Sequence, residues 1–429
     1  MQKLTNKLKG NKLAQIILLV LYVVVTSLSL YLAQASVTAF LLLLFSLLLL
    51  YYTELPVRLK WLIAGVVLIG VIPFVSSTGP GYQSYMEVAT VVGIYVAMAL
   101  GLNIVVGLAG LLDLGFVAFF AIGSYTYGIF ATGQAANFMP FGSFPLSGNS
   151  FWIFILIGCF AAALFGVLLG IPVLRVKGDY LAIVTLGFGE IIRIVFNNLD
   201  KPVNITNGAM GLASVQPPEI FGYQFVYPNQ FYYIVLGILL LVILAVRRFE
   251  FSKIGRSWKA VRENEIAAQS MGIHLVRTKL LAFAIGASFS GMMGVVFAAK
   301  QTFVDPTSFT LLESITILVM VILGGMGSVP GVILGAAVIT ILNLQVLTEV
   351  TNYLNQLSLD GVISFPEALS PAKMQRFIFG AILIVFAIYR PQGLIPAKNP
   401  VFDEESLKEG SKKHKKEQIA VEPDKGFQA

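Results

Sequence analysis

"FWIFILIGCFAAALFGVLLGIPVL", Phe151 to Leu174, is a run of 24 residues without one charged side chain. At 1.5 Å per residue, a helix of that length covers about 36 Å, enough to cross the ~30 Å hydrocarbon core of a bilayer. The run is continuous. It lacks the alternation that marks the ~10-residue strands of a membrane β-barrel. In lipid, a helix is the form that satisfies every backbone donor and acceptor of such a segment from within.

Working outward, apolar segments recur at 13–33, 37–52, 61–77, 87–107, 115–132, 151–174, 179–199, 229–247, 279–300, 313–325, 330–347 and 373–390. Several are shorter than the ~20 residues of a full crossing. The pair 313–325 and 330–347 reads as half-helices, and 37–52 as tilted or interfacial. The expected fold is therefore all-α: a polytopic transmembrane bundle of about 10–12 spans with broken or half helices, and an inverted repeat. The bulk numbers agree, with 57% hydrophobic and 12% charged residues and a mean hydropathy of +0.83. An ordinary soluble domain is excluded.

Lysines at 3, 7, 9 and 12 precede the first apolar run, and "AQA" at 33–35 resembles a signal-cleavage site. The run exceeds the roughly 7–15 residues of a signal h-region, so it reads as a retained helix. With the spans alternating from an inner N-terminus, 24 of the 29 Lys and Arg fall on the inner side and four on the outer, with Arg193 inside a span. The positive-inside rule then puts both termini in the cytoplasm and makes the net charge of +7 a topology signal, not a nucleic-acid footprint. Three regions are expected: N-terminal membrane helices at 1–85, a membrane core at 86–395 with an inner loop at 248–278, and a polar cytoplasmic tail at 396–429, read as disordered. "KKHKK" at 412–416 of that tail is basic enough to touch anionic lipid.

Four places carry chemistry. "SWKAVRENEIAAQSMGIH", Ser257 to His274, is a polar, alanine-bearing stretch between long apolar ones. At 100° per residue, Ile254, Trp258, Val261, Ala268 and Met271 share one half of a helix, and Gly272 is placed to end it. Such an element lies on the cytoplasmic surface, either as a headgroup anchor or as a docking helix whose small residues let a partner approach. "GLAGLLDLGF" breaks one apolar stretch at Gly107, Gly110 and Gly115; "GGMGSVPG" breaks another at Gly324, Gly325, Gly327 and Pro330. Paired breaks of this kind point to a transport site between repeats, or to two tight interhelical turns. Glu190 and Arg193 lie three apart inside a span and can pair, either as a packing element or as part of a translocation path. Asn103 and Asp113 are further path candidates for a zwitterionic head.

The exclusions are as useful. Cys159 is the lone cysteine and sits in a span, so no intrachain disulfide forms. With two histidines, a Cys/His metal site is not expected. No phosphate-cradling loop with its Lys and Ser/Thr is present, and no nucleophile–base pair stands out, so the chain is not read as an enzyme.

The segments "GLNIVVGLAGLLDLGFVAFFAIGSYTYGIF", "GDYLAIVTLGFGEIIRIVFNN" and "GGMGSVPGVILGA" resemble the LivM-type permeases of branched-chain amino-acid ABC importers, over roughly residues 86–395. The resemblance implies a bacterial plasma-membrane permease for Leu, Ile and Val with no cofactor of its own. It also implies a LivH-like permease partner, two cytoplasmic ATPase subunits that bind ATP and Mg, and an extracytoplasmic substrate-binding protein. It assigns the polar stretch Ser257 to His274 to ATPase docking, with Ala267, Ala268 and Gly272 matching the family's Glu-Ala-Ala…Gly spacing. The expected glutamate position holds Ile266, and Glu265 stands one residue early, so Arg262, Glu263 and Glu265 are all candidates for the charged contact. Importers of urea, short amides or nucleosides in the same family are the near alternative. An ion-coupled secondary transporter using Asp113 and Glu190 is the alternative of a different class.

Overall fold

The computed structural model describes residues 12–32, 42–359 and 373–397, apart from 47–48, 51–52, 54, 78–82, 140–141, 174–175, 177–178 and 391. The lysines at 3, 7 and 9, the basic residues Arg175 and Lys177, and the tail with its "KKHKK" lie outside the described residues, as does much of the 37–52 segment.

Among the described residues, seven helices are long and apolar enough to cross a membrane: Tyr85–Leu108, Gly148–Val173, Tyr180–Asn198, Pro228–Glu250, Leu275–Gln301, Pro306–Gly324 and Val329–Ser358. Shorter apolar helices run at Gln15–Ser29, Leu62–Phe74 and Phe377–Phe386. The chain is a multi-pass helical membrane protein.

In chain order, α1 is Lys12–Leu32 and α2 is Val57–Gly65, which runs on through a π-helical turn into Ile72–Ser77. Next, α3 is Gln83–Leu102, extended by a π turn at Asn103–Leu108, and α4 is Val117–Gly128. Then come α5 (Phe151–Val173), α6 (Asp179–Asn198) and α7 (Pro228–Glu250). Two short helices, α8 (Lys253–Glu263) and α9 (Glu265–Ser270), lead into α10 (Leu275–Gln301). The chain finishes with α11 (Leu311–Gly324), α12 (Val329–Ile341, continuing to Leu359) and α13 (Gln375–Tyr389).

Three of the short segments resolve differently. At 12 residues, α4 is too short to cross alone. The 330–347 segment is not a half-helix, because its helix continues for 30 residues to Ser358. The α-helical part of 313–325, α11, has 14 residues and reaches crossing length with the short 3₁₀ turn that precedes it, over Pro306–Gly324.

The core is built on α10, which packs along α3, α4 and α5 through small residues. A Cβ on Gly123 would lie 2.0 Å from the carbonyl oxygen of Gly291, and one on Gly291 would lie 2.5 Å from that of Gly158. Lipid supplies no hydrophobic drive for helix association, so close backbone approach and interhelical hydrogen bonds must hold the bundle. The Ser124 hydroxyl, 2.9 Å from the Gly294 carbonyl, is one such bond. On the far side of α5, Ile153, Leu156, Phe160 and Leu164 point outward as an apolar stripe. A second, smaller cluster joins α1 and α2 to α3 and α7, where the Tyr232 hydroxyl donates to the Leu68 carbonyl at 2.9 Å.

The two ends of the bundle differ. One carries α8, α9 and the breaks described below. The other carries two small antiparallel ribbons, β1 (Leu212–Ala213) with β4 (Phe303–Val304) and β2 (Glu219–Ile220) with β3 (Tyr223–Gln224). A Lys300–Glu87 ion pair of 3.1 Å closes that second end.

Candidate functional site

The polar stretch is two helices, not one. Ser252 caps α8 by accepting from the Gly255 amide at 3.2 Å. Asn264 then turns extended, with φ −159° and ψ 112°, and its side chain accepts from the Ala267 amide at 3.0 Å. That bond satisfies an orphan donor at the start of α9. Gly272 takes φ +85°, the left-handed conformation expected of it, with nothing within 4 Å of a Cβ placed there. Trp258, Val261 and Ala268 are buried, and the Trp258 indole donates to the Thr278 carbonyl at 2.8 Å. Met271 breaks the single-helix expectation: it is 83% exposed, beside Ile266 at 77%.

This geometry sorts the six coupling candidates. Arg262 stays exposed but reaches back to the bundle, its guanidinium donating to the Gly107 carbonyl. Glu265 pairs with Lys279 at 2.7 Å, and Ala268 is buried under α9. Glu263, Ala267 and Gly272 face outward with Ile266 and Met271. The pattern shows why Glu265 stands where it does: within this chain it answers Lys279, which is itself buried.

Arg262 leads directly to the two glycine breaks. Gly110 has φ +73°, and a Cβ there would meet the Arg262 side chain at 2.8 Å. Gly327 has φ +84°, and a Cβ there would lie 3.2 Å from Arg262 Nη1. The breaks also touch each other. Asn103 Oδ1 accepts from the Gly327 amide at 2.8 Å, and a Cβ on Gly107 would come within 2.5 Å of the same nitrogen. The second break is tied down further: the Leu394 and Ile395 amides bond the Leu323 and Gly324 carbonyls at 2.8 and 3.1 Å. Gly325, at φ +117°, leaves room there for the backbone of Ile395. Pro330 occupies the first turn of α12, where its missing amide costs nothing, and Ser328 caps that turn. The two breaks meet at the same end of the bundle, and the pair forms a seat for α8.

The four path candidates separate into two groups. Asn103 and Asp113 are fully buried. Asp113 accepts from the Gly115 amide at 2.9 Å, which fixes the turn into α4, while its other oxygen has no partner among the described residues. Gly115 lies so close to α6 that a Cβ there would be 2.0 Å from the Thr185 carbonyl oxygen. Glu190 and Arg193 do pair, with Arg193 Nη2 2.7 Å from Glu190 Oε2, but each side chain is 33% exposed. The pair sits on the flank of α6, not within the bundle core.

The sequence reading passed over a third polar contact inside the membrane region. Tyr95 on α3 donates to Glu313 on α11 at 3.2 Å. The available signal was a glutamate three residues into an apolar helix, and it deserved the weight given to Glu190. Among the described residues, no group of His, Cys, Asp and Glu is placed to hold a metal ion.

With this geometry in place, residues 84–387 match the family model for the permease component of the branched-chain amino acid transport system. The chain belongs to that permease family. The permease is 36% identical over 376 residues to the high-affinity branched-chain amino acid transport permease LivM of Escherichia coli, covering 82% of this chain and 78% of that one. A probable LivM of Methanocaldococcus jannaschii is 28% identical, covering 69% and 84%. LivH of E. coli is more distant, at 23% identity over 60% and 83%. The permease is therefore of LivM type. No solved structure matches it.

Proposed function

We propose that the permease is the LivM-like half of an ATP-driven importer for Leu, Ile and Val. A LivH-like permease completes the membrane path, two cytoplasmic ATPase subunits bind ATP and Mg, and an extracytoplasmic binding protein delivers substrate. Both termini and the α8–α9 element face the cytoplasm, in a bacterial plasma membrane. The names and identities of the relatives support the substrate class.

The observation that carries the coupling role is the seat. Through Arg262, α8 grips both glycine breaks, while Ile266, Ala267, Met271 and Gly272 are left as a small apolar knob facing away from the bundle. A knob of this kind suits a cleft in another protein, and its burial there would recover the apolar area it now exposes. Movement of an ATPase bound to the knob pulls through Arg262 on α3 at one break and on the α11–α12 junction at the other.

Co-purification of the four-subunit complex tests this. Ile266→Asp and Met271→Asp place a charge on the knob without disturbing its buried side. Both should leave the permease in the membrane with its LivH-like partner, and both should lose the ATPases and Leu uptake. Full ATPase retention with normal uptake removes the docking role. Identifying the ligand carried by the co-purified binding protein decides between Leu, Ile or Val and the urea, amide and nucleoside alternatives.

A further inference from the structure

The Tyr95–Glu313 contact lies in a cavity of about 200 Å³ between α3, α4, α10 and α11. Cavities for drug-sized ligands run to roughly 300–1,000 Å³. At about 200 Å³ this one lies below that range. It is the size of one small molecule, not a peptide or a nucleotide.

Depth and charge make it unusual. Glu313 lies 11 residues before Gly324, and Tyr95 lies 12 before Gly107. At 1.5 Å per residue both stand about 16–18 Å along their helices from the layer of the breaks, inside the apolar helices Pro306–Gly324 and Tyr85–Leu108. No basic side chain pairs with Glu313 among the described residues, and Lys300, at the far end of α10, is engaged by Glu87. A carboxylate at that depth is costly, and such groups mark substrate and ion pathways. Ser308 adds a further polar residue to the wall, and the rest is apolar and aromatic: Phe120 and Phe297, with ring centroids 5.0 Å apart, face Met98 and Ile317. The cavity is thus amphipathic, with one anionic group beside a pocket for a branched aliphatic chain.

We propose that this cavity is a transient substrate site within the permease. Glu313 accepts the ammonium group of a small apolar amino acid, the Tyr95 hydroxyl orients that carboxylate, and Phe120, Phe297 and Ile317 enclose the side chain. The proposal rests on the amino-acid importer reading above. No residue identified from the sequence as a path candidate belongs to it.

The test uses the complete transporter with its binding protein in proteoliposomes, reading Leu and Val uptake together with ATP hydrolysis. Glu313→Gln keeps the size and an acceptor for Tyr95 but removes the charge. It should cut uptake of both amino acids at least tenfold while ATP hydrolysis is still stimulated, and Glu313→Asp should recover part of the loss. Ile317→Phe narrows the apolar end and should lower Leu uptake severalfold more than Val, since one methylene in a tight pocket discriminates by about 10–200-fold. Normal uptake by Glu313→Gln, or loss of assembly with the LivH-like partner and normal uptake in the fraction that assembles, overturns the site and assigns Glu313 to an intersubunit contact. If Glu313→Gln does not assemble at all, the Leu-to-Val ratio of Ile317→Phe decides, and an unchanged ratio overturns the site. A wild-type complex that imports neither amino acid defeats the importer reading instead, so the two failures are distinct.

Discussion

Arg262 connects three parts of the chain that lie far apart in sequence, and glycines make room for it. Gly110 is the most exacting of these. An alanine there would be held at φ +73° and would press its Cβ against Arg262 at 2.8 Å. A non-glycine residue in a disfavoured region costs about 1–3 kcal/mol, before the clash is counted. Gly110→Ala should therefore lower Leu uptake per ATP hydrolysed by roughly tenfold or more, with ATPase subunits still bound, because the knob is untouched and the link behind it is loosened. Arg262→Lys should fall between wild type and Gly110→Ala, since a lysine supplies charge without the planar fork. Unchanged coupling in both variants would show that motion does not pass through this contact. The sequence marked Gly107, Gly110 and Gly327 as breaks, because glycine in an apolar run is legible. What the breaks are for was not legible: Arg262 is 155 residues from Gly107, and only the fold brings them together. Ala268 shows the converse. Its spacing placed it in a docking motif, and its burial makes it part of what holds α9 to the bundle.

For the α8–α9 pair, the decisive feature is the turn at Asn264. A periodicity of 100° per residue holds only while the helix continues. It correctly placed Trp258 and Val261 on the buried side of α8. After the extended residue the phase resets, and Met271 emerges into solvent while Ile266 joins it. Without that reset the apolar knob would point into the bundle. Asn264→Ala removes the side-chain acceptor for the Ala267 amide, a loss of about 0.5–2 kcal/mol for a helix cap. Amide exchange over residues 265–271 should then quicken, from a few-fold to roughly thirtyfold, with exchange in α8 unchanged. Asn264→Asp, which keeps an acceptor, should exchange like wild type. Equal acceleration across both helices would mean that they form one unit and that the cap does not separate them.

The bundle as a whole has two unlike ends, and its orientation is what the charge pattern speaks to. The segments at 151–174, 179–199, 229–247 and 279–300 read as spans because their hydropathy is local information; α4 reads as a span for the same reason, though it is only 12 residues long. Which helices touch was hidden, because the closest contacts, such as Gly123 with Gly291 and Asn103 with Gly327, join residues far apart in sequence. The basic residues are unevenly divided between the two ends. Arg247, Arg248, Lys253, Arg256, Lys259 and Arg262 gather at the end that carries α8, whereas the ribbon end has Lys300 paired to Glu87. By the positive-inside rule, we propose that the ribbon end lies outside the cell. Single cysteines put this to the test once Cys159, half-buried in α5, is replaced by alanine. Ser143 and Ser214 are exposed at the ribbon end, and Ser143 avoids the φ of +119° that a cysteine at Gly142 would have to adopt. Ser270 is exposed on α9 at the other end. In intact spheroplasts, a membrane-impermeant maleimide should label Ser143→Cys and Ser214→Cys at once and Ser270→Cys only after permeabilisation. Labelling of Ser270→Cys from outside, with the other two protected, would invert the molecule. The apolar knob would then face away from ATP, and no cytoplasmic ATPase could dock on it.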